Sequence, residues 1–276
     1  MRPQLPVLKK NSSKAPTGIV GFDDITGGGL PHGRTTLLVG GPGSGKTILS
    51  LQFLVHGAQE CNEPGIFVAF EEASKRIVDN AQSFGWNLAE LCRKKKLFFL
   101  DAQPVPDMVQ SGVFDLGGML AALEAKTTQM KAKRIVFDAL DIVLALLPDD
   151  IARRREVYRL HAWLLERGLT GLLTAKANAD DTSSISLQQF GFMQFMVDCA
   201  VILDHSVVHG VSQRNLRVQK YRGSSFDENE SPFLIGTRGI EVAVMHPLTS
   251  RDTKSLNERV SSGVGLVKKR RDEGMR

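Results

Sequence analysis

The stretch Gly40-Gly41-Pro42-Gly43-Ser44-Gly45-Lys46-Thr47 constrains this chain more than any other. It matches G-x-x-x-x-G-K-[ST], a loop whose backbone cradles nucleotide phosphates. Gly43 and Gly45 lack a Cβ, so the backbone can curl and aim its N–H groups inward. Lys46 brings a positive charge to the β- and γ-phosphates, and the Thr47 hydroxyl suits Mg²⁺. The flanks agree with the motif. Residues 34–39 read as a buried strand, and Ile48, Leu51, Leu54 and Val55 then recur at helical spacing. Strand, glycine loop and helix N-terminus together form an anion site, with Gly40 to Ile48 as the expected phosphate contacts.

At 276 residues the chain suits one domain with tails, or at most two small domains. No apolar run approaches the ~20 residues that span a bilayer. The first fourteen residues are basic and polar, unlike a signal peptide, so a cytoplasmic protein is expected. The net charge of +5 belongs to the ends: residues 1–14 carry +4 and residues 251–276 carry +4, leaving −3 for the body. That distribution argues against a nucleic-acid groove in the body. Cys61, Cys92 and Cys199 show neither zinc-ligand spacing nor a disulfide framework, and read as structural thiols.

Along the chain, residues 1–14 read as a flexible leader and the glycine-rich segment 16–33 as a loop. Strands are expected at 65–70, 97–100, 134–138 and 169–174, alternating with helices at 74–84, 117–131 and 151–167. That alternation means right-handed crossovers and a mostly parallel sheet. From Cys199 the pattern changes to strands at 200–203, 215–220 and 232–235 without intervening helices. Short connections there predict antiparallel hairpins at one edge of the sheet.

Carboxylates complete the expected site. Asp138 ends an apolar strand, where phosphate-loop enzymes hold Mg²⁺ through water. Glu71 and Glu72 end another strand, at the edge where such sheets bind ligands. ATP hydrolysis needs a base to orient and polarise a water, and one of two adjacent acids can supply it while the other braces it. Glu71 is also a candidate metal oxygen. Thr174 is either a sensor of the γ-phosphate or a plain strand-end threonine, and Asp141 is either a support or a cap.

Together these residues resemble the RecA-like ATPases of the KaiC type. The resemblance is carried by Thr17-Gly18-Ile19-x-Gly21-Phe22-Asp23, the triple glycine 27–29, the phosphate loop and Phe70-Glu71-Glu72. Phe84-Gly85-Trp86, Val136-Phe137-Asp138 and above all Lys220-Tyr221-Arg222-Gly223-Ser224-Ser225 extend it. It implies an α/β fold: a RecA-like P-loop NTPase with a mostly parallel central sheet flanked by helices, and antiparallel hairpin strands at the C-terminal edge. It implies ATP and Mg²⁺ as cofactors, and a ring, usually a hexamer, with ATP between subunits. Lys220 and Arg222, with Ser224 nearby, would then meet the neighbour's nucleotide and join Lys46, Glu71 and Glu72 in catalysis. A KaiB-like or signalling protein is the implied partner, with neither nucleic acid nor membrane.

The resemblance sets the domain at 15–247, after the leader 1–14. Residues 248–276 are then a linker or tail, or the opening of a second repeat, since 259–264 resembles 15–20. There are departures. Clock proteins of this family autophosphorylate on a Ser-Thr pair, and Gln194-Phe195 stands at the matching place. The polar run holding Thr182, Ser183, Ser184 and Ser186 lies nearby. Lys176 stands where many relatives carry an acid. Two alternatives follow: a serine/threonine autokinase, and a DNA-binding recombination ATPase of the RecA/RadA kind. The second needs basic central loops, whereas 178–189 contains Asp180 and Asp181 and no Lys or Arg.

Overall fold

A computed structural model of the chain describes residues 14–104, 116–176 and 191–244. The expected leader up to residue 13, the acidic loop 178–189 and everything from 245 onward, including the 259–264 segment, lie outside the described residues.

The core is a nine-stranded sheet among the described residues. Its strands are β3 (Thr35–Gly40), β4 (Gly65–Ala69), β5 (Leu97–Asp101), β6 (Arg134–Asp138), β7 (Thr170–Lys176), β8 (Cys199–Val208), β9 (Val211–Tyr221), β10 (Ser231–Gly236) and β11 (Gly239–Val242). The order is β11-β10-β9-β8-β3-β7-β6-β4-β5. Pairing is parallel from β8 to β5 and antiparallel from β8 to β11, the mostly parallel sheet with an antiparallel edge that the sequence implies.

The apolar runs of β3, β4 and β6 are buried on both faces, as a sheet covered by helices requires, whereas the edge strand β5 is only partly covered. Alternate residues feed two cores. Leu38, Phe67 and Val136 pack with helix α2 (Lys46–Gln59), α3 (Ser74–Ala81) and α4 (Leu88–Arg93). Leu37, Ile66, Ile135 and Phe137 pack with α5 (Leu116–Met130), α6 (Leu140–Leu144) and α7 (Asp150–Glu166). Each fully buried Phe or Leu contributes roughly 1.5–3 kcal/mol, so this layering, not local propensity, fixes the strands.

Several elements differ from the sequence expectation. The helix expected over 74–84 is α-helical only to Ala81; a 3₁₀ turn, Gln82–Phe84, finishes it where Gly85 turns left-handed at φ +73°. The glycine-rich segment is not all loop. It holds α1 (Phe22–Ile25) and β2 (Leu30–Pro31), which pairs with β1 (Lys14–Ala15). Asp23 closes this segment, its carboxylate accepting from the Thr17 N–H, the Thr17 hydroxyl and the Gly18 N–H.

β8 and β9 run well past the apolar stretches that announce them. The extension, with His205 opposite Arg214 and Val207 opposite Ser212, is held by ladder pairing, a force that leaves no apolar pattern. This hairpin also carries an irregularity. Ala200 faces Lys220 while Val201 faces Val218, so Gln219 is an extra residue, a β-bulge. The short helix α8 (Gly191–Met196) precedes β8.

Candidate functional site

The glycine loop joins β3 to α2 at the C-terminal edge of the parallel strands. Gly43 and Gly45 have φ of +70° and +98°, conformations that residues with a Cβ rarely adopt. Gly45 is the N-cap of α2 and, being glycine, brings no side chain to cap the helix. The first N–H groups of a helix have no partner within it, and its dipole favours an anion there. The Ser44 hydroxyl, wholly buried in the loop, has no hydrogen-bond partner among the described residues either.

These residues line a cavity of about 840 Å³ with Lys46, Thr47, Ile48, Glu71, Asp138, Ala139, Lys176, Arg214 and Ile235. Lys46 folds back over the loop, its Nζ donating to the carbonyls of Gly40 (2.6 Å) and Gly41 (3.0 Å). Burial pulls its pKa below the usual lysine value, while Asp138 and Asp141 oppose that shift.

Asp138 is the most tightly held group. The Thr47 hydroxyl donates to its Oδ2 at 3.0 Å, and the Thr174 hydroxyl donates to its Oδ1 at 2.7 Å. Thr174 in turn accepts the Ala139 N–H at 2.7 Å. That bond steadies Ala139 at φ +62°, a left-handed conformation uncommon for alanine. Burial raises the Asp138 pKa, against the two hydroxyls and Lys46, which lower it. β7 continues to Lys176, so Thr174 is no strand end; it is wholly buried and its hydroxyl serves Asp138.

The two adjacent glutamates part company. Glu71 lines the cavity, its Oε1 accepting from Lys176 Nζ at 2.6 Å. Glu72 turns away to Arg76 (3.3 Å) and Asn80 (3.5 Å). β4 ends at Ala69, so both glutamates lie in the bend that follows it, and that bend sends one into the cavity and the other outward. The hydrogen bond from Lys176 to Glu71 raises the lysine's pKa. The Lys176 N–H donates to Asp141 Oδ1 at 3.2 Å, which gives Asp141 a supporting place behind the cavity wall.

Oxygen donors suit Mg²⁺, and the Thr47 hydroxyl beside the Asp138 carboxylate supplies them. Among the described residues no group of three or more His, Cys, Asp or Glu forms a metal cluster. A cation here would therefore share its ligands with phosphate oxygens, the usual habit of Mg²⁺. The fit to a nucleoside triphosphate with Mg²⁺ is good.

Lys220, Arg222 and Ser224 lie elsewhere. Lys220 Nζ donates to the Gln194 carbonyl at 2.5 Å, and Arg222 Nη2 to the Phe195 carbonyl at 2.8 Å. The Ser224 hydroxyl donates to the Ser225 carbonyl at 2.9 Å. Between the two cations, the Tyr221 hydroxyl donates to Gly29 O at 3.0 Å, so the triple glycine braces this strand. Sequence reasoning missed Arg214, Ala139 and Ile235 in the cavity wall. For Arg214 the sequence holds no local signal, since a hairpin's reach over a distant loop is tertiary. Lys176 noted only as a departure has a signal in hindsight: it ends a strand at the ligand-binding edge.

Among the described residues no helix is long and apolar enough to cross a membrane. Residues 15–246 match the family described as "ATPase: KaiC". The chain is 38% identical over 255 residues to circadian clock protein KaiC2 of a Synechocystis species, covering 91% of this chain and 43% of that protein. It is 41% identical over 252 residues to circadian clock oscillator protein KaiC of Parasynechococcus marenigrum, covering 91% and 48%. The chain thus spans about half the length of these curated relatives. A family match over most of the chain, coinciding with the glycine loop, Asp138 and the sheet that carries them, shows that the chain belongs to the KaiC family of ATPases.

Proposed function

We propose that this chain binds ATP with Mg²⁺ in the glycine-loop cavity and hydrolyses it. Copies associate into a ring, a hexamer by the family resemblance, with nucleotide at each seam. Gly40 to Ile48 and Lys46 hold the phosphates, and Thr47 and Asp138 hold the metal, which would neutralise charge on the phosphate oxygens. Glu71 accepts a hydrogen bond from the attacking water and takes its proton as the terminal phosphoryl group leaves ADP. Glu72 braces the turn from outside. Lys220 and Arg222 of the next copy, with Ser224 near them, stabilise the charge that develops on that group.

One observation carries the shared site. β8 pairs Leu203 with Gly40 and Cys199 with Thr36, while Cys199 faces Tyr221 on β9. Lys220 and Arg222 therefore sit at the strand edge opposite the glycine loop, which supports the reading that the nucleotide they meet is held by another copy. A heterologous contact of this kind closes into a ring when its rotation allows.

In this reading a cytoplasmic assembly couples its nucleotide state to a protein partner, KaiB-like or signalling, because loss of the terminal phosphate releases the neighbour's cations. Native mass measurement tests it: ATP·Mg²⁺ should produce a ring that Lys46→Ala weakens. A monomer turning over ATP at full rate would sink it. The autokinase alternative is disfavoured because Gln194 and Phe195 have no hydroxyl to accept a phosphoryl group. Label from γ-labelled ATP should appear as free phosphate, not on the protein.

A further inference from the structure

We propose that Lys176 is a same-chain ligand of the terminal phosphate, held on Glu71 until a triphosphate arrives, so that it makes the cavity discriminate triphosphate from diphosphate. This rests on reading the cavity as a nucleoside triphosphate site.

The placement comes from register. β7 runs parallel to β3 with Lys176 opposite Gly40, so Lys176 leaves the sheet beside the first residue of the glycine loop. Its main chain is fixed by the 3.2 Å bond to Asp141, while its side chain extends to Glu71 at 2.6 Å. Lys176, Glu71, Lys46 and Asp138 share one cavity wall. Both lysines are thus turned onto internal acceptors, Lys46 onto loop carbonyls and Lys176 onto a carboxylate.

The chemistry comes from competition. The Lys176 and Glu71 side chains are 37% and 51% exposed. An ion pair this open to water is weak and readily exchanged, whereas a buried one would be locked. A terminal phosphate carries more charge and more acceptor oxygens than one carboxylate, and a lysine's flexible stem can follow it without backbone movement. When Lys176 changes partner, Glu71 loses its cation and its carboxylate is free to polarise water. The exchange forms and breaks no covalent bond. It ties the availability of the base to the presence of the group to be transferred.

The test is a binding titration of the full chain with Mg²⁺, using ADP and the β,γ-imido analogue of ATP. Lys176→Met should weaken the analogue roughly tenfold, the scale of one charge-assisted hydrogen bond. ADP affinity should stay within about twofold, which also shows that the variant folds. Lys176→Arg should keep the preference, and Glu71→Gln, by removing the competing charge, should tighten the analogue alone. Equal weakening of both nucleotides, or an unchanged ratio, would mean that Lys176 merely braces Glu71 and would overturn the proposal while leaving the nucleotide site intact. Failure of the wild-type chain to bind either nucleotide would overturn the site and the proposal together.

Discussion

Lys46 and Lys176 lie at one edge of the sheet, Lys220 and Arg222 at the other, and their surroundings differ in kind. At the loop edge the cations share a formed cavity with Glu71 and with Asp138, itself held by two hydroxyls. At the far edge Lys220 and Arg222 rest on peptide carbonyls of α8, next to a Phe195 that is 80% exposed. Four residues of β8 separate the two levels, about 13 Å along a strand. The contrast fits the proposed division of labour, in which one edge receives phosphates and the other presents charge. A neutral carbonyl competes less with an incoming phosphate than a carboxylate does, so Lys220 and Arg222, like Lys46, are more easily recruited than Lys176.

The largest effect that would sharpen this contrast is at the receiving edge. Lys46→Ala should abolish ATP binding in a titration and reduce turnover by about 10²-fold or more. If the proposed trans contact holds, Arg222→Ala should cut turnover by about 10²-fold while leaving ADP affinity nearly unchanged, because the terminal phosphate is absent from ADP. Mixing Lys46→Ala with Arg222→Ala should restore part of the activity, since a mixed seam pairs an intact loop with an intact cation. No restoration at any ratio would break the division between the two edges. A smaller effect is expected for Thr174→Val, which removes a donor to Asp138 and the acceptor of the Ala139 N–H. It should cost about 1–3 kcal/mol of stability in denaturant unfolding and raise the Mg²⁺ needed for half-maximal turnover.

The smallest effect lies at the loop edge but away from the cavity, at the end of β5. The Ser74 hydroxyl and N–H donate to Asp101 and hold its carboxyl below the usual value, so a carboxylate from β5 satisfies the first N–H of α3, whose N-cap is Ala73. A carboxyl with a lowered folded pKa stabilises above its unfolded pKa, and that contribution disappears as pH falls through the folded value. Asp101→Asn should lower stability at neutral pH by at most about 1 kcal/mol, exposure to solvent limiting the gain. The difference from wild type should shrink in unfolding curves taken below pH 4.

The alternation of apolar strands with helices was legible because burial on both faces leaves continuous runs such as 65–70, and the glycine loop was legible because its backbone admits few residues. The split of Glu71 and Glu72 was half legible: adjacent side chains point apart, but which of them faces the cavity is set by the bend after Ala69, which no pattern announces. β11 and α6 were missed because each is only four or five residues long and takes its order from packing, not from a periodic pattern. Lys176 and Arg214 could not be paired with the loop from sequence, for their neighbours come from β3 and from the reach of a hairpin.

The unmatched Gln219 has a wider reach than its size suggests. Leu216 and Val218 point into the interior, and plain two-residue alternation would send Lys220 and Arg222 after them, leaving the Tyr221 ring in water. The surplus residue reverses that parity: Tyr221 goes inside and both cations come out. A single amino acid inserted into β8 opposite Gln219 would restore the count and swallow both charges. The outward charge of this edge is therefore a matter of arithmetic in the ladder as much as of which side chains are there.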